Sequence, residues 1–388
     1  MNSAYELLKL FTATRLHTHK LCEPLEKEDY VVQPIVDVSP PKWHLGHTTW
    51  FFEEFLLDKN LPGYQRYHEQ YAYVFNSYYE TIGARVVRTD RGNLSRPSVD
   101  EVYKYRAHVT YHMEQLLKNH WKEELLPILE IGIHHEKQHQ ELLLTDIKYI
   151  LGNNPLLPIY GDVKDEVFIN SDAQKWLEIP AQIYEIGHSN SEFCYDNEQP
   201  KHRVFLESYR ISSNLVSCGE WIEFISAGGY KNVMLWHTEG WDWVQKNNIT
   251  APMYWYQEGN DWIQYTLNGI QKVDKHSAVT HISYYEAFAF AQWKGMRLPT
   301  EFEWEAAQKQ FNWGKRWEWT ESAYLPYPNY KKPDGALGEY NGKFMVNQKV
   351  LRGCSIATPP QHARPTYRNF FHPNLRWQIT GLRLVRNL

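Results

Sequence analysis

The stretch His134-His135-Glu136-Lys137-Gln138-His139-Gln140-Glu141 decides how the first half of this chain folds and what it can hold. It lies in a segment, 122–149, that has no proline after Pro127 and reads as a helix. His135 and His139 are four residues apart, which on a helix puts two imidazoles on one face, one turn apart. Ile128, Gly132, Leu142 and Asp146 fall along the same stripe, whereas Lys137 and Glu130 fall elsewhere and can be wet. Two imidazoles on a mostly apolar face suit a buried metal ion. Such pairs also recur as plain core or surface histidines, so a third ligand from elsewhere would decide between the two.

Upstream, residues 2–20 read as a helix, with Leu7, Leu8, Phe11 and Arg15/Leu16 at helical spacing. A loop punctuated by Pro24, Pro34, Pro40 and Pro41 follows. Ser39-Pro40-Pro41 opens a second helix over 42–57, since proline is tolerated in a first turn. Trp43, His47, Trp50 and Glu54 share one of its faces, which places His47 on an aromatic inner side and His44 about a quarter turn away. An irregular segment, 58–97, contains Phe75-Asn76-Ser77-Tyr78-Tyr79 and then Arg85, Arg88, Arg91 and Arg96. Ser98 with Glu101 resembles a capping box and starts a third helix that runs to about residue 120. Four amphipathic helices suggest a bundle, and bundle cores commonly host metal sites. The joint between the second and fourth helices would bring His47 toward His135 and His139. His108 and His112 form a competing pair, but Arg106, Thr110, Glu114 and Gln115 around them point to a solvated face.

Downstream, Gly152 to Pro158 is a helix stop followed by extended chain. Strands are expected at 177–180, 182–187, 202–206 and 209–211, and helices at 217–227, 283–294 and 301–310. The rest reads as loop rich in Gly, Trp and Tyr. Short strands and long loops imply an α+β domain whose loops make the binding surface, so the expected domains are 1–155 and 156–388. The net charge of −5 gives no argument for nucleic acid or an anionic membrane surface, and no apolar run could span a bilayer. No signal peptide is visible, and the four cysteines are scattered without a CxxC pair, which fits a reducing cytoplasm. With 16 Trp and 27 Tyr, the chain is equipped to stack a flat or cationic small molecule.

These landmarks meet in a family. Trp43-His44-Leu45-Gly46-His47-Thr48-Thr49-Trp50-Phe51-Phe52-Glu53 and His135-Glu136-Lys137-Gln138-His139-Gln140-Glu141 resemble the metal-ligand segments of the DinB-like four-helix bundle. Arg297-Leu298-Pro299-Thr300-Glu301-Phe302-Glu303-Trp304-Glu305, Trp317-Glu318-Trp319-Thr320, Val350-Leu351-Arg352-Gly353-Cys354-Ser355 and Thr380-Gly381-Leu382-Arg383-Leu384 resemble the formylglycine-generating-enzyme fold, a C-type-lectin-like domain. The pair, in that order and over nearly the whole chain, resembles the ergothioneine-biosynthetic sulfoxide synthases.

The resemblance implies a mononuclear non-haem iron(II) oxidoreductase that uses O2. Such an enzyme joins a cysteine sulfur to the imidazole C2 of hercynine (trimethylhistidine) and oxidises that sulfur to the sulfoxide. It implies His47, His135 and His139 as metal ligands, an arrangement that leaves positions open on one side of the metal. Gln138 matches the residue that contacts the imidazole, Asn369 the one that holds the betaine carboxylate, and Phe370 an aromatic ring near it. Phe371 stands where relatives that use γ-glutamylcysteine carry an acidic residue. Tyr78 and Tyr79 resemble the first-domain tyrosines of the branch that takes free cysteine, where a phenol can supply a proton as sulfur–carbon bond formation begins. Arg88 and Arg91 resemble the arginines that clamp the donor's carboxylate, for which a guanidinium fork is suited. Two neighbouring readings stay open: a 5-histidylcysteine sulfoxide synthase of ovothiol type, and a zinc-dependent thiol transferase on the same bundle.

Overall fold

A computed structural model describes residues 4–80, 83–164, 166–170, 173–190, 192–334 and 336–388. They form two compact units. One ends at Gly161 and also takes in Ala357–His362; the other comprises Asp162–Ile356 and Ala363–Leu388.

The first unit is built on four helices: α1 (Ala4–Cys22), α2 (Pro41–Phe52), α3 (Val99–Asn119) and α4 (Leu126–Gly152). Each of α1 and α2 packs against both α3 and α4, which makes the expected four-helix bundle. Proline opens α2 and lies in the first turn of α4, where its missing N–H costs nothing. The Ser98–Glu101 capping box starts α3 as expected, with Glu101 N–H donating to Ser98 Oγ and Ser98 N–H to the Glu101 carboxylate. All 12 residues of α2 are buried. The helix then runs on through a π-type turn, Glu53–Leu57, whose Glu53 carboxylate accepts from the Tyr64 hydroxyl at 2.6 Å and the Tyr105 hydroxyl at 2.5 Å.

Two glycines set how closely neighbouring chain approaches the centre of this bundle. A Cβ on Gly46 would meet the Phe75 ring at 2.1 Å, and one on Gly132 would meet the Phe52 ring at 2.7 Å. Neither contact is sterically possible, so α2 lies against residue 75 and α4 against α2 only because these side chains are hydrogen. Beside them, Glu136 on α4 is clamped inside the bundle by Arg106 and by Arg15 Nη1 at 3.0 Å, and it accepts from Thr18 Oγ1 at 2.6 Å.

Two sequence expectations are corrected here. Lys137 is buried, not wet, and its Nζ donates to the Pro360 carbonyl at 3.0 Å. The face bearing His108 and His112 is not a solvated one either. Arg106 is fully buried, and both histidines are half-buried against Tyr64, with ring centroids 5.8 and 5.1 Å from it.

The second unit holds β1 (Trp176–Ile179), β2 (Gln182–Ile186), β3 (His202–Leu206) and β4 (Tyr209–Ser212), all close to expectation. Helices α5 (Cys218–Ser226), α6 (Thr238–Asn247), α7 (Tyr284–Trp293) and α8 (Glu301–Ala307) follow, interleaved with further strands. These are β5 (Trp255–Glu258), β6 (Asp261–Thr266), β7 (Gly269–Lys272), β8 (Trp317–Ala323), β9 (Lys349–Gly353), β10 (Asn369–Phe371), β11 (Thr380–Gly381) and β12 (Val385–Asn387). β12 returns to pair antiparallel with β4, opposite β1, and a second sheet runs β10-β9-β8-β11. Ile179, Ile211, Trp304, Phe311 and Val385 close a core between α8 and the first sheet.

Helix α6 and the strands β5 to β12 lie where only loop was expected. α6 starts at His237 with no side-chain cap and carries Gly240 in its first turn, so the usual start signals are missing. No helix among the described residues is long and apolar enough to cross a membrane.

Candidate metal centre

His47, His135 and His139 converge inside the first unit: one ring nitrogen from each lies within 4.8 Å of the others. Helix α2 supplies the first and α4 the other two, one turn apart. The Nε2 atoms of His47 and His135 are 3.1 Å apart. Two imidazole nitrogens bound at about 2.1 Å to one ion, at right angles, would stand about 3 Å from each other, so this pair is already spaced for a shared metal. His47 Nδ1–H donates to the Phe75 carbonyl at 2.6 Å, which turns its Nε2 lone pair toward the centre. Trp43 stacks on the His47 ring at 4.5 Å and Trp50 at 5.6 Å, and the imidazole is fully buried.

Burial is the main electrostatic fact of the site. It pushes His47 and His139 well below the ordinary histidine range, and nearby His135 adds to the effect on each. Burial likewise brings His135 down to about 3, against the opposing pull of Glu136. Three imidazoles that burial keeps from protonating are a metal-ligand set, and the donor chemistry fits one divalent transition ion.

The ring of His139 is held by a residue that helical periodicity set aside. His44 Nδ1 lies 2.8 Å from His139 Nδ1, and His44 Nε2 lies 3.0 Å from Asp146 Oδ2, with His44 and Asp146 both buried. Asp146 Oδ2 also accepts from the Ser39 N–H at 2.9 Å. Asp146 lies on the histidine stripe, but nothing in the spacing pairs it with His44.

The other expected site residues fall into groups. Tyr79 is fully buried, its ring 5.5 Å from Trp50, and the half-buried Tyr78 stacks on it at 4.6 Å. Arg91 is buried with its guanidinium 3.4 Å over the Trp43 ring. Its two terminal nitrogens donate to Ser39 Oγ at 2.9 Å and Ser77 Oγ at 3.0 Å, while its Nε has no acceptor among the described residues. Burial first, then the charge of Arg88, lowers the Arg91 pKa to about 8. Arg88 lies apart, half-exposed, with Nη1 3.4 Å from the Asp37 carboxylate and Nη2 donating to the Asp37 carbonyl at 2.8 Å. Gln138 is half-buried on α4 beside His139. Asn369, Phe370 and Phe371 lie together on β10 of the second unit, where Phe370 stacks on Tyr324 at 4.0 Å and the Asn369 Oδ1 accepts from the Phe370 N–H.

Comparison with known proteins places both units. A model of the DinB superfamily matches residues 10–143, and one of the sulfatase-modifying factor enzyme 1-like domain matches residues 169–316. The chain is therefore a DinB-like helical region followed by a formylglycine-generating-enzyme-like domain. It is 28% identical over 306 residues to hercynine oxygenase of Mycobacterium tuberculosis, covering 66% of this chain and 71% of that one. It is 30% identical over 240 residues to hercynine oxygenase of Mycolicibacterium smegmatis, covering 49% and 55%. It is 21% identical over 361 residues to ergothioneine biosynthesis protein 1 of Schizosaccharomyces pombe, covering 76% of this chain and 44% of the relative. The chain thus spans about half the length of the last two. The two domain matches and these relatives together bear out the resemblance to the ergothioneine-biosynthetic sulfoxide synthases.

Proposed function

We propose that this protein is an iron(II)- and O2-dependent sulfoxide synthase that joins the sulfur of free cysteine to the imidazole C2 of hercynine. The observation that carries the reading is the convergence of His47, His135 and His139, the first two buried and the third half-buried, with all three held below the ordinary histidine range. Iron(II) bound there would supply redox chemistry with O2, which zinc, equally acceptable to three histidines, cannot.

The chain's own residues then have separate tasks. Arg91 is a buried guanidinium that, among the described residues, donates to two hydroxyls and lies over an aromatic face, so a cysteine carboxylate would give it a direct ion-pair partner. Trp43 and Trp50 keep water off the His47 ring. Tyr79, or Tyr78 stacked on it, supplies a proton during sulfur–carbon bond formation. The resemblance assigns Gln138 to the substrate imidazole, Asn369 to its carboxylate and Phe370 to its trimethylammonium, a cation that favours aromatic faces. Phe371, apolar where an acidic residue would pair the amine of γ-glutamylcysteine, favours free cysteine.

The test is anaerobic reconstitution with iron(II) or zinc, followed by air. Products are read by mass spectrometry from hercynine or histidine paired with cysteine or γ-glutamylcysteine. Hercynylcysteine sulfoxide from the iron, hercynine and cysteine arm is the expected result. Product from histidine at C5, or turnover with zinc and no O2 consumption, would replace this reading by the ovothiol-type or the transferase one.

A further inference from the structure

The three histidines of the centre are not held alike. His47 is oriented by a backbone carbonyl, which can only accept a hydrogen bond. His139 is oriented by another imidazole, which can accept or donate. Two imidazole nitrogens 2.8 Å apart share one proton, and which ring owns it decides whether His139 can bind a metal at all. The answer lies on the far side of His44. The Asp146 carboxylate faces His44 Nε2 at 3.0 Å and, being an acceptor, draws the His44 proton to Nε2. With that proton on Nε2, His44 Nδ1 is the acceptor facing His139. The proton between the two rings belongs to His139 Nδ1, and its Nε2 is left with a free lone pair.

We propose that Asp146 and His44 form an orienting relay that holds His139 in its Nδ1–H form, with Nε2 presented as a metal ligand. The inference rests on the metal-centre reading above and adds two positioning residues to it. His44 is not a fourth ligand, because both of its ring nitrogens are engaged, one by Asp146 and one by His139. The relay is also well anchored. Asp146 and His44 are 3% and 2% exposed, and the Ser39 N–H at 2.9 Å fixes the carboxylate oxygen that meets His44. Residues that orient a metal-bound histidine typically change metal affinity 10–100-fold when removed.

The first measurement needs no variant. In metal-free protein labelled with nitrogen-15 at histidine, the two ring nitrogens of His139 are read by NMR and assigned by their loss in His139→Gln. A proton on Nδ1 is expected. A proton on Nε2 would mean that His44 donates instead, and it overturns the proposal. The second measurement is anaerobic cobalt(II) affinity by competition with a chelator, together with the ligand-field absorption of the cobalt protein. His44→Phe should weaken binding about 10–100-fold and change the absorption. His44→Gln, whose amide oxygen can accept from His139 Nδ1, should restore both to near wild type, with thermal melts of the metal-free proteins confirming a fold. Affinity and absorption unmoved in His44→Phe, or no better in a folded His44→Gln than in His44→Phe, overturn the relay while the metal centre stands. Wild-type protein that binds neither cobalt nor iron overturns the centre and the relay together.

Discussion

Replacing Glu136 by Gln removes one charge from the interior of the bundle and almost nothing of its shape. The carboxylate is fully buried, as Arg106 and Arg15 beside it nearly are, and it accepts from both guanidiniums and from Thr18. Burial alone would raise its pKa. The charges of Arg106 and Arg15, with hydrogen bonds from Arg106 and Thr18, outweigh that and bring it from the ordinary 4.5 to about 2. A depression of that size corresponds to about 3 kcal/mol of folding free energy at neutral pH. The figure agrees with the ~3–5 kcal/mol lost when one partner of a buried ion pair is removed. The two guanidiniums would be left facing each other, and burial together with Arg106 already lowers Arg15 to about 10. Thermal unfolding of the metal-free variant, followed by far-UV circular dichroism, should show a Tm lower by roughly 6–12 °C, at about 2–4 °C per kcal/mol for a unit of this size. The pH dependence has a definite sign. The folded-state pKa lies below the unfolded one, so the stabilisation is complete above pH 4.5 and is lost as pH falls toward 2. The gap between wild type and Glu136→Gln should therefore close over that window. A gap under about 1 kcal/mol at neutral pH, or one that does not narrow in acid, would refute the assignment of Glu136 as the charge that balances Arg15 and Arg106.

Other perturbations test the site directly. His135→Ala should retain no iron after reconstitution and desalting, and full iron content by elemental analysis would sink the ligand assignment. Gly46→Ala gains about 1 kcal/mol of helix propensity but drives a Cβ into the Phe75 ring, an overpacking cost of about 1–3 kcal/mol. It should disturb the Phe75 carbonyl that orients His47, so cobalt(II) affinity should fall by more than the melt suggests. Arg91→Met removes a desolvated charge and should leave stability unchanged or raised, while KM for cysteine climbs at least about tenfold as the bidentate contact is lost; an unchanged KM would exclude Arg91 as the carboxylate clamp. Changing both Tyr78 and Tyr79 to Phe should slow sulfoxide formation by ~10²–10⁴ and leave thiol oxidation as the main outcome. Unaltered rates and product ratios would refute their role.

Much of the helical unit was legible because its helices announce themselves locally. Pro41, the Ser98–Glu101 box and the His135/His139 stripe each need only a few neighbouring residues to be read. What periodicity could not supply was the far side of each helix. Leaving the histidine stripe allows Lys137 to be wet, but a carbonyl more than two hundred residues away accepts from it. Arg106 suggested a solvated face, yet its counter-charge Glu136 lies on another helix and keeps it inside. In the second unit β1 to β4 were found, while α6, uncapped and holding Gly240, and the strands β5 to β12 were not. Lys137 and Arg106 are cases where a partner distant in sequence overrides a local preference, whereas α6 lacks the local signal itself.

The same reasoning explains why His44 escaped notice and how such residues can be found. A quarter turn off the inner stripe of an ordinary amphipathic helix means water, but every residue of α2 is buried, so off-stripe on α2 means the next helix. There His44 meets His139 and Asp146. The mark of that close packing was in the sequence. Gly46 stands immediately before His47 and Gly132 three residues before His135, and each occupies a point where a Cβ would strike an aromatic ring. A glycine beside a ligand on a helix with no polar face signals that neighbouring chain passes within van der Waals reach. Titratable residues off the stripe of such a helix then face other side chains, and are the place to look for whatever orients the ligands.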